Sequence, residues 1–91
     1  MTWFVYMLRC RDGSLYTGIT TDVRRRIAAH RAGKGSRYTR SRLPVRLVYR
    51  EQRATRAAAL RREAAIKRLT PTAKRRLARR SGEGGGGAGG G

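Results

Sequence analysis

Ninety-one residues with 23 Lys+Arg, 5 Asp+Glu and a formal net charge of +18 make one small domain, its core at the small end of what folds unaided. A single cysteine and a single histidine exclude a disulfide framework and a structural Cys/His zinc cluster. No stretch approaches the roughly 18 apolar residues of a membrane span, so a soluble, cytoplasmic protein is expected, with adsorption of a basic face to lipid as the lesser alternative.

Residues 3–10, WFVYMLRC, are aromatic and β-branched and read as a strand, in which Cys10 is expected to be a small buried residue. Arg11-Asp12-Gly13 is a turn, and Ser14 to Thr20 is the second strand of a hairpin. Two registers are compatible with this turn. A two-residue Asp-Gly loop puts Tyr6 and Tyr16 on opposite faces, whereas a three-residue loop with left-handed Gly13 sets Tyr6 opposite Gly18 and Tyr16 opposite Leu8, on one face. The second is preferred because the other face, with Trp3, Val5, Met7, Leu15 and Ile19, then becomes the more apolar one.

Thr21 or Asp22 caps a helix that runs to about Ala32, with Gly33 as its stop. Val23 and Ile27 face the core, Arg26 and His30 flank that stripe, and Arg24, Arg25 and Arg31 are solvated. Residues 33–42, GKGSRYTRSR, form a basic loop with room for one helical turn. After Pro44, VRLVYRE alternates roughly and is a third strand. Thr55 caps a helix over 56–69, and Thr70-Pro71 starts another that ends near Arg80. From Ser81 onward SGEGGGGAGGG has nothing to bury and is expected to be a disordered tail, 81–91, outside a domain of residues 1–80. The order β-β-α-β-α-α predicts an α+β fold with a small antiparallel sheet.

So large a positive charge is self-repelling, and the expected counterpart is a polyanion, nucleic acid foremost. Twenty of the 23 basic residues are arginine, which suits phosphate forks and base stacking. A coding bias towards Arg and Ala is an equal explanation for arginine over lysine, but it leaves the scarcity of acids unexplained. Glu63 is the unusual acid, because a helical wheel puts it beside the buried arc of Ala59 and Ile66. It is either paired with a cation or reserved for a task.

Phosphodiester hydrolysis needs an activated water, a cation near the developing charge and often a metal ion. Tyr6 or Tyr16 suits the first, Arg26 the second, and Glu63 offers carboxylate oxygen for one divalent ion. A phenol with an ordinary pKa of about 10 is a poor base at neutral pH and needs a nearby cation.

Val5-Tyr6, Tyr16-Thr17-Gly18, Thr20, Asp22, Arg26, His30, and Glu63 followed by Ile66-Lys67 resemble the GIY-YIG nuclease domain. The similarity covers about residues 1–80 and is greatest to the small stand-alone bacterial members, an uncharacterised group. It implies a metal-dependent endonuclease with a three-stranded antiparallel sheet flanked by helices. It also implies Tyr6 and Tyr16 as the motif tyrosines, one at or near the general base, and Arg26 on the scissile phosphate. Glu63 becomes the ligand of one Mg²⁺ or Mn²⁺, His30 a functional histidine, and Gly18 and Thr20 structural parts of the site. Two positions depart from the motif: Phe4-Val5-Tyr6 lacks the glycine, and Thr17 replaces isoleucine. Neither change removes a reactive group. No separate DNA-binding domain is expected, which leaves target choice open.

The basic loop with Lys34, Arg37, Tyr38, Arg40 and Arg42 can follow a phosphate backbone while Tyr38 stacks on a base, and Arg24 and Lys67 extend this surface. Arg75, Arg76, Arg79 and Arg80 read as a diffuse electrostatic surface. A DNA endonuclease is therefore expected. A nucleic-acid-binding module that has lost efficient chemistry is the alternative, and a ribosome- or RNA-associated structural protein rests on charge alone.

Overall fold

The structure, a computed structural model, describes residues 1–84, with side chains up to Arg80. Strands β1 (Trp3–Arg9), β2 (Leu15–Thr20) and β3 (Arg46–Arg53) form one antiparallel sheet in the order β2-β1-β3. Helices α1 (Val23–Arg31) and α2 (Arg37–Arg40) lie between β2 and β3 in the chain, and α3 (Arg56–Lys67) and α4 (Pro71–Gly84) follow. The expected α+β fold and element order are therefore present.

The hairpin takes the three-residue loop. Gly13 has φ +86°, and Tyr6 pairs with Gly18 and Leu8 with Tyr16. This register divides β1 between two cores. Tyr6 and Leu8 pack with Cys10, Val23, Ile27 and Val45 on the α1 side. Val5 and Met7 pack with Ala59 and Ile66 on the side of α3 and α4. The most apolar strand is thus central and buried on both faces, while β2 forms one edge.

Each main helix starts at the residue type expected of a cap. Asp22 accepts from the Arg25 amide at 3.1 Å, Thr55 from the Ala58 amide at 3.1 Å, and Thr70 from the Ala73 amide at 3.1 Å. Helix α3 stops at Lys67, slightly short of the expected 69. Helix α4 continues past the expected Arg80 to Gly84, across the domain boundary set at residue 80. The rest of the tail expected over 81–91, from residue 85 on, lies outside the described residues. β3 carries a bulge opposite Met7/Leu8, which explains why its alternation is only approximate in the sequence.

Candidate active site

Tyr6 crosses its own strand partner. A Cβ on Gly18 would stand 2.6 Å from Tyr6 Oη and 2.8 Å from Cζ, so the phenol runs over a position where only glycine leaves room. The missing side chain in β2 lets a residue of the central strand reach towards the sheet edge. Tyr16, two residues earlier on β2 and half-buried, lies on the same face, with ring centroids 6.4 Å apart.

His30 closes this face from α1. It is fully buried and meets both tyrosines edge-on, at centroid distances of 5.9 Å and 5.1 Å. Its Nε2 is 2.9 Å from Tyr6 Oη, and its Nδ1 is 2.8 Å from Thr39 Oγ1. Thr39 is itself 2.9 Å from Ser36 Oγ. Both ring nitrogens are engaged, so a neutral imidazole is satisfied in either tautomer, one nitrogen donating and the other accepting. Burial, reinforced by the positive charge of Arg26, holds the His30 pKa below its usual value and keeps the ring neutral near pH 7.

Arg26 sits one turn before His30 on α1, and its Nη2 donates to the Gly35 carbonyl at 2.8 Å. That bond anchors one arm of the guanidinium, whose five N–H donors exceed what the Gly35 carbonyl takes up. Gly35 serves the site twice, because a Cβ there would fall 2.1 Å from His30 Nδ1. The Tyr6 phenol is only 1% exposed, and burial pushes its pKa above the ordinary tyrosine value. The Arg26 guanidinium beside it works in the opposite direction, and the charges of Tyr16 and Glu63 add to the rise. Of the two phenols, half-buried Tyr16 keeps the more direct path to solvent.

Glu63 projects from α3 on the other side of the sheet. Ala59 and Ile66, its neighbours on the wheel, are fully buried, and its own side chain is 19% exposed. Lys67 Nζ lies 3.3 Å from Oε2, an i,i+4 pair. Among the described residues Oε1 has no hydrogen-bond donor. Glu51 differs: Tyr49, Arg53 and Arg62 all bind it, so that carboxylate is committed to structure. The described residues include no group of three His, Cys, Asp or Glu able to hold a metal. A Mg²⁺- or Mn²⁺-type ion retains several waters and needs only one or two protein carboxylates, so a lone half-buried Glu63 fits such an ion.

The remaining predicted residues separate into two groups. Thr20 is part of the helix entrance: its hydroxyl donates to the Asp22 carbonyl at 3.2 Å and accepts from the Asp22 amide at 3.1 Å. Tyr38 stacks against Tyr16 (6.1 Å, 25°), and Arg42 lies 3.8 Å over the Tyr38 ring while its Nε donates to Asp12 at 3.1 Å. This column ties the basic loop to the hairpin turn and covers Tyr16. Arg24, Lys34, Arg37, Arg40 and Lys67 are exposed around the site. Ser36, Gly35 and Thr39 were not singled out from the sequence, although Ser36 followed by Thr39 three residues later is a cap signature. Ser36 Oγ does accept from the Thr39 amide, at 3.1 Å.

Two tyrosines, an arginine and a neutral histidine thus meet on a small β-β-α scaffold. Residues 2–76 match the GIY-YIG catalytic domain, and the chain belongs to that family. Within it, the chain is similar to the UPF0213 protein of Desulfotalea psychrophila, at 58% identity over 83 residues, covering 90% of this chain and 76% of that protein. It is 54% identical over 71 residues to the UPF0213 protein of Streptococcus sanguinis, covering 78% of this chain and 82% of that one. The solution structure of the UPF0213 protein of Bacillus halodurans shares the fold at 48% identity, with a TM-score of 0.55 over 85% of this chain and 82% of that chain. Among the described residues no helix is long and apolar enough to cross a membrane.

Proposed function

We propose that this chain is a metal-dependent endonuclease acting on DNA, with its chemistry at Tyr6, Tyr16, Arg26, His30 and Glu63. The observation that carries this reading is the convergence of both phenols on neutral His30, with Arg26 one helical turn away. Arg26 holds a non-bridging phosphate oxygen through the donors that Gly35 leaves available. His30, oriented by Thr39, holds the Tyr6 hydroxyl, and the phenols orient the attacking water or take its proton. A phenol whose pKa is raised by burial stays protonated near pH 7. Its action as a base therefore requires the cations gathered here, Arg26 first. Glu63 would hold the divalent ion, which when bound supplies charge neutralisation at the phosphate and a route for the leaving oxygen. The exposed Arg24, Lys34, Arg37 and Arg40 supply the electrostatic attachment to the polyanion.

One observation favours the second reading, a binding module with weak chemistry: Tyr6 is almost fully buried, and its hydroxyl is already bonded to His30. Incubation with branched, nicked and single-stranded DNA, and with matched RNA, with and without Mg²⁺, separates the two. The nuclease reading expects metal-dependent cleavage that Tyr6→Phe or Glu63→Ala abolishes. Binding with no cleavage on every substrate, or cleavage indifferent to Glu63→Ala, sinks it.

A further inference from the structure

Two pairs of like charges face one another across a groove at the hairpin end of the sheet. Arg9, which ends β1, lies directly opposite Arg46, which begins β3. On α4, Arg75 and Arg79 are one helical turn apart. All four line a single groove of about 550 Å³ whose floor includes Leu15 and Val48. Like charges directly across a strand pair, or at i,i+4 on a helix, each destabilise the fold.

Nothing described in the fold neutralises them. Asp12 is bound to Arg42, Glu51 to Arg53 and Arg62, Glu63 to Lys67, and Asp22 caps α1. None of the four groove arginines has a carboxylate partner among the described residues, and all four are exposed. Nor does the proposed chemistry use them. Leu15 and Val48 belong to the core on the α3 and α4 side, whereas Tyr6 and Tyr16 belong to the α1 side.

We infer that the Arg9–Arg46–Arg75–Arg79 groove is a second nucleic-acid site, which takes the phosphodiester backbone of a segment other than the one at Tyr6 and Arg26. The inference rests on the nucleic-acid reading above. Four arginines lining one concavity focus positive potential there, and guanidinium forks match phosphate oxygens. The molecule measures 31 × 27 × 26 Å, with Tyr6 and Tyr16 on one face of its sheet and the groove on the other. A duplex with a persistence length of about 50 nm does not fold round so small a body. The groove is therefore filled by a second arm, or by a single strand continuing from the first, and the substrate class is branched or partly single-stranded nucleic acid.

The test is fluorescence anisotropy in EDTA over a salt series, with a short linear DNA duplex and a three-way junction built from the same arms. The variants are Arg9→Ala/Arg46→Ala and Arg75→Ala/Arg79→Ala, and Arg61→Ala/Arg68→Ala removes the same charge from exposed positions on and just after α3. Both groove variants should bind the junction about tenfold more weakly than the control variant, with a log K against log salt slope smaller by about one to two. Their affinity for the linear duplex should match the control. Their melting temperatures should equal or exceed wild type, because each substitution relieves a like-charge contact. Junction binding equal to the control overturns the inference, and so does an equal loss on both probes. Wild-type protein that binds neither probe defeats the nucleic-acid reading itself.

Discussion

Replacing Gly18 with alanine tests whether the Tyr6 phenol owes its position to an absent side chain. The new Cβ would be 2.6 Å from Tyr6 Oη, and ordinary van der Waals contact begins near 3.4 Å. The phenol must therefore move by the difference, about 0.8 Å. A shift of that size compresses or stretches the 2.9 Å bond to His30 out of hydrogen-bond geometry. Overpacking a filled core costs about 1–3 kcal/mol and a lost hydrogen bond about 0.5–1.5, offset by about 0.4–1 from a stiffer unfolded chain. The net is about 2 kcal/mol, or a melting temperature lower by roughly 8–16 °C for a domain of this size. Thermal unfolding followed by circular dichroism reads the stability, and cleavage of a labelled DNA reads the site. Wild-type melting together with wild-type cleavage would refute the claim that Gly18 makes room for the phenol.

Three further outcomes follow from the same geometry. Thr17 is buried at 3% exposure and its Oγ1 has no hydrogen-bond partner, so Thr17→Val removes an orphaned hydroxyl. It should stabilise the fold by about 1 kcal/mol and raise the melting temperature by roughly 4–8 °C, whereas a fall would mean that the hydroxyl is satisfied. The folded pKa of His30 lies below the ordinary 6.5, so the unfolded chain takes up a proton that the folded chain refuses. The resulting stabilisation is complete above about pH 6.5 and declines as the pH falls towards the lowered value. With one histidine in the chain, denaturant midpoints between about pH 5 and 6.5 report this directly, and a midpoint that rises on acidification contradicts it. Arg42→Ala removes both the cation over Tyr38 and the bond to Asp12, which should loosen the covering of Tyr16 and broaden the Tyr16 and Tyr38 ring resonances. Unchanged resonances would show that Arg42 does not hold the column.

Local rules made much of this legible in the sequence. The caps at Asp22, Thr55 and Thr70 follow from short-range hydrogen bonding, and the hairpin register follows from which face could be apolar. The family spacing singles out Tyr6, Tyr16, Arg26, His30 and Glu63 as candidates by residue type. The support behind the site was less visible. Ser36 and Thr39 carry no chemistry of their own and gain a role only because the loop folds back on His30. Gly35 reads in sequence as loop punctuation, yet it both anchors Arg26 and clears the imidazole. Arg75 and Arg79 look like surface charge until α4 brings them opposite Arg9 and Arg46. These are long-range juxtapositions, which periodicity does not encode. Helix α4 runs past its expected end at Arg80 to Gly84, and the glycines at 82 and 84 give no sequence signal for that extension.

A double-mutant cycle tests the central claim most directly, namely that one site is assembled from β1 and α3. Single-turnover cleavage of a DNA substrate in Mg²⁺ is measured for wild type, Tyr6→Phe, Glu63→Ala and the double variant. Residues that act as a unit give non-additive losses, so the double variant should cleave about as slowly as the worse single variant. Losses that multiply independently, or a Glu63→Ala variant that cleaves at the wild-type rate, would contradict it.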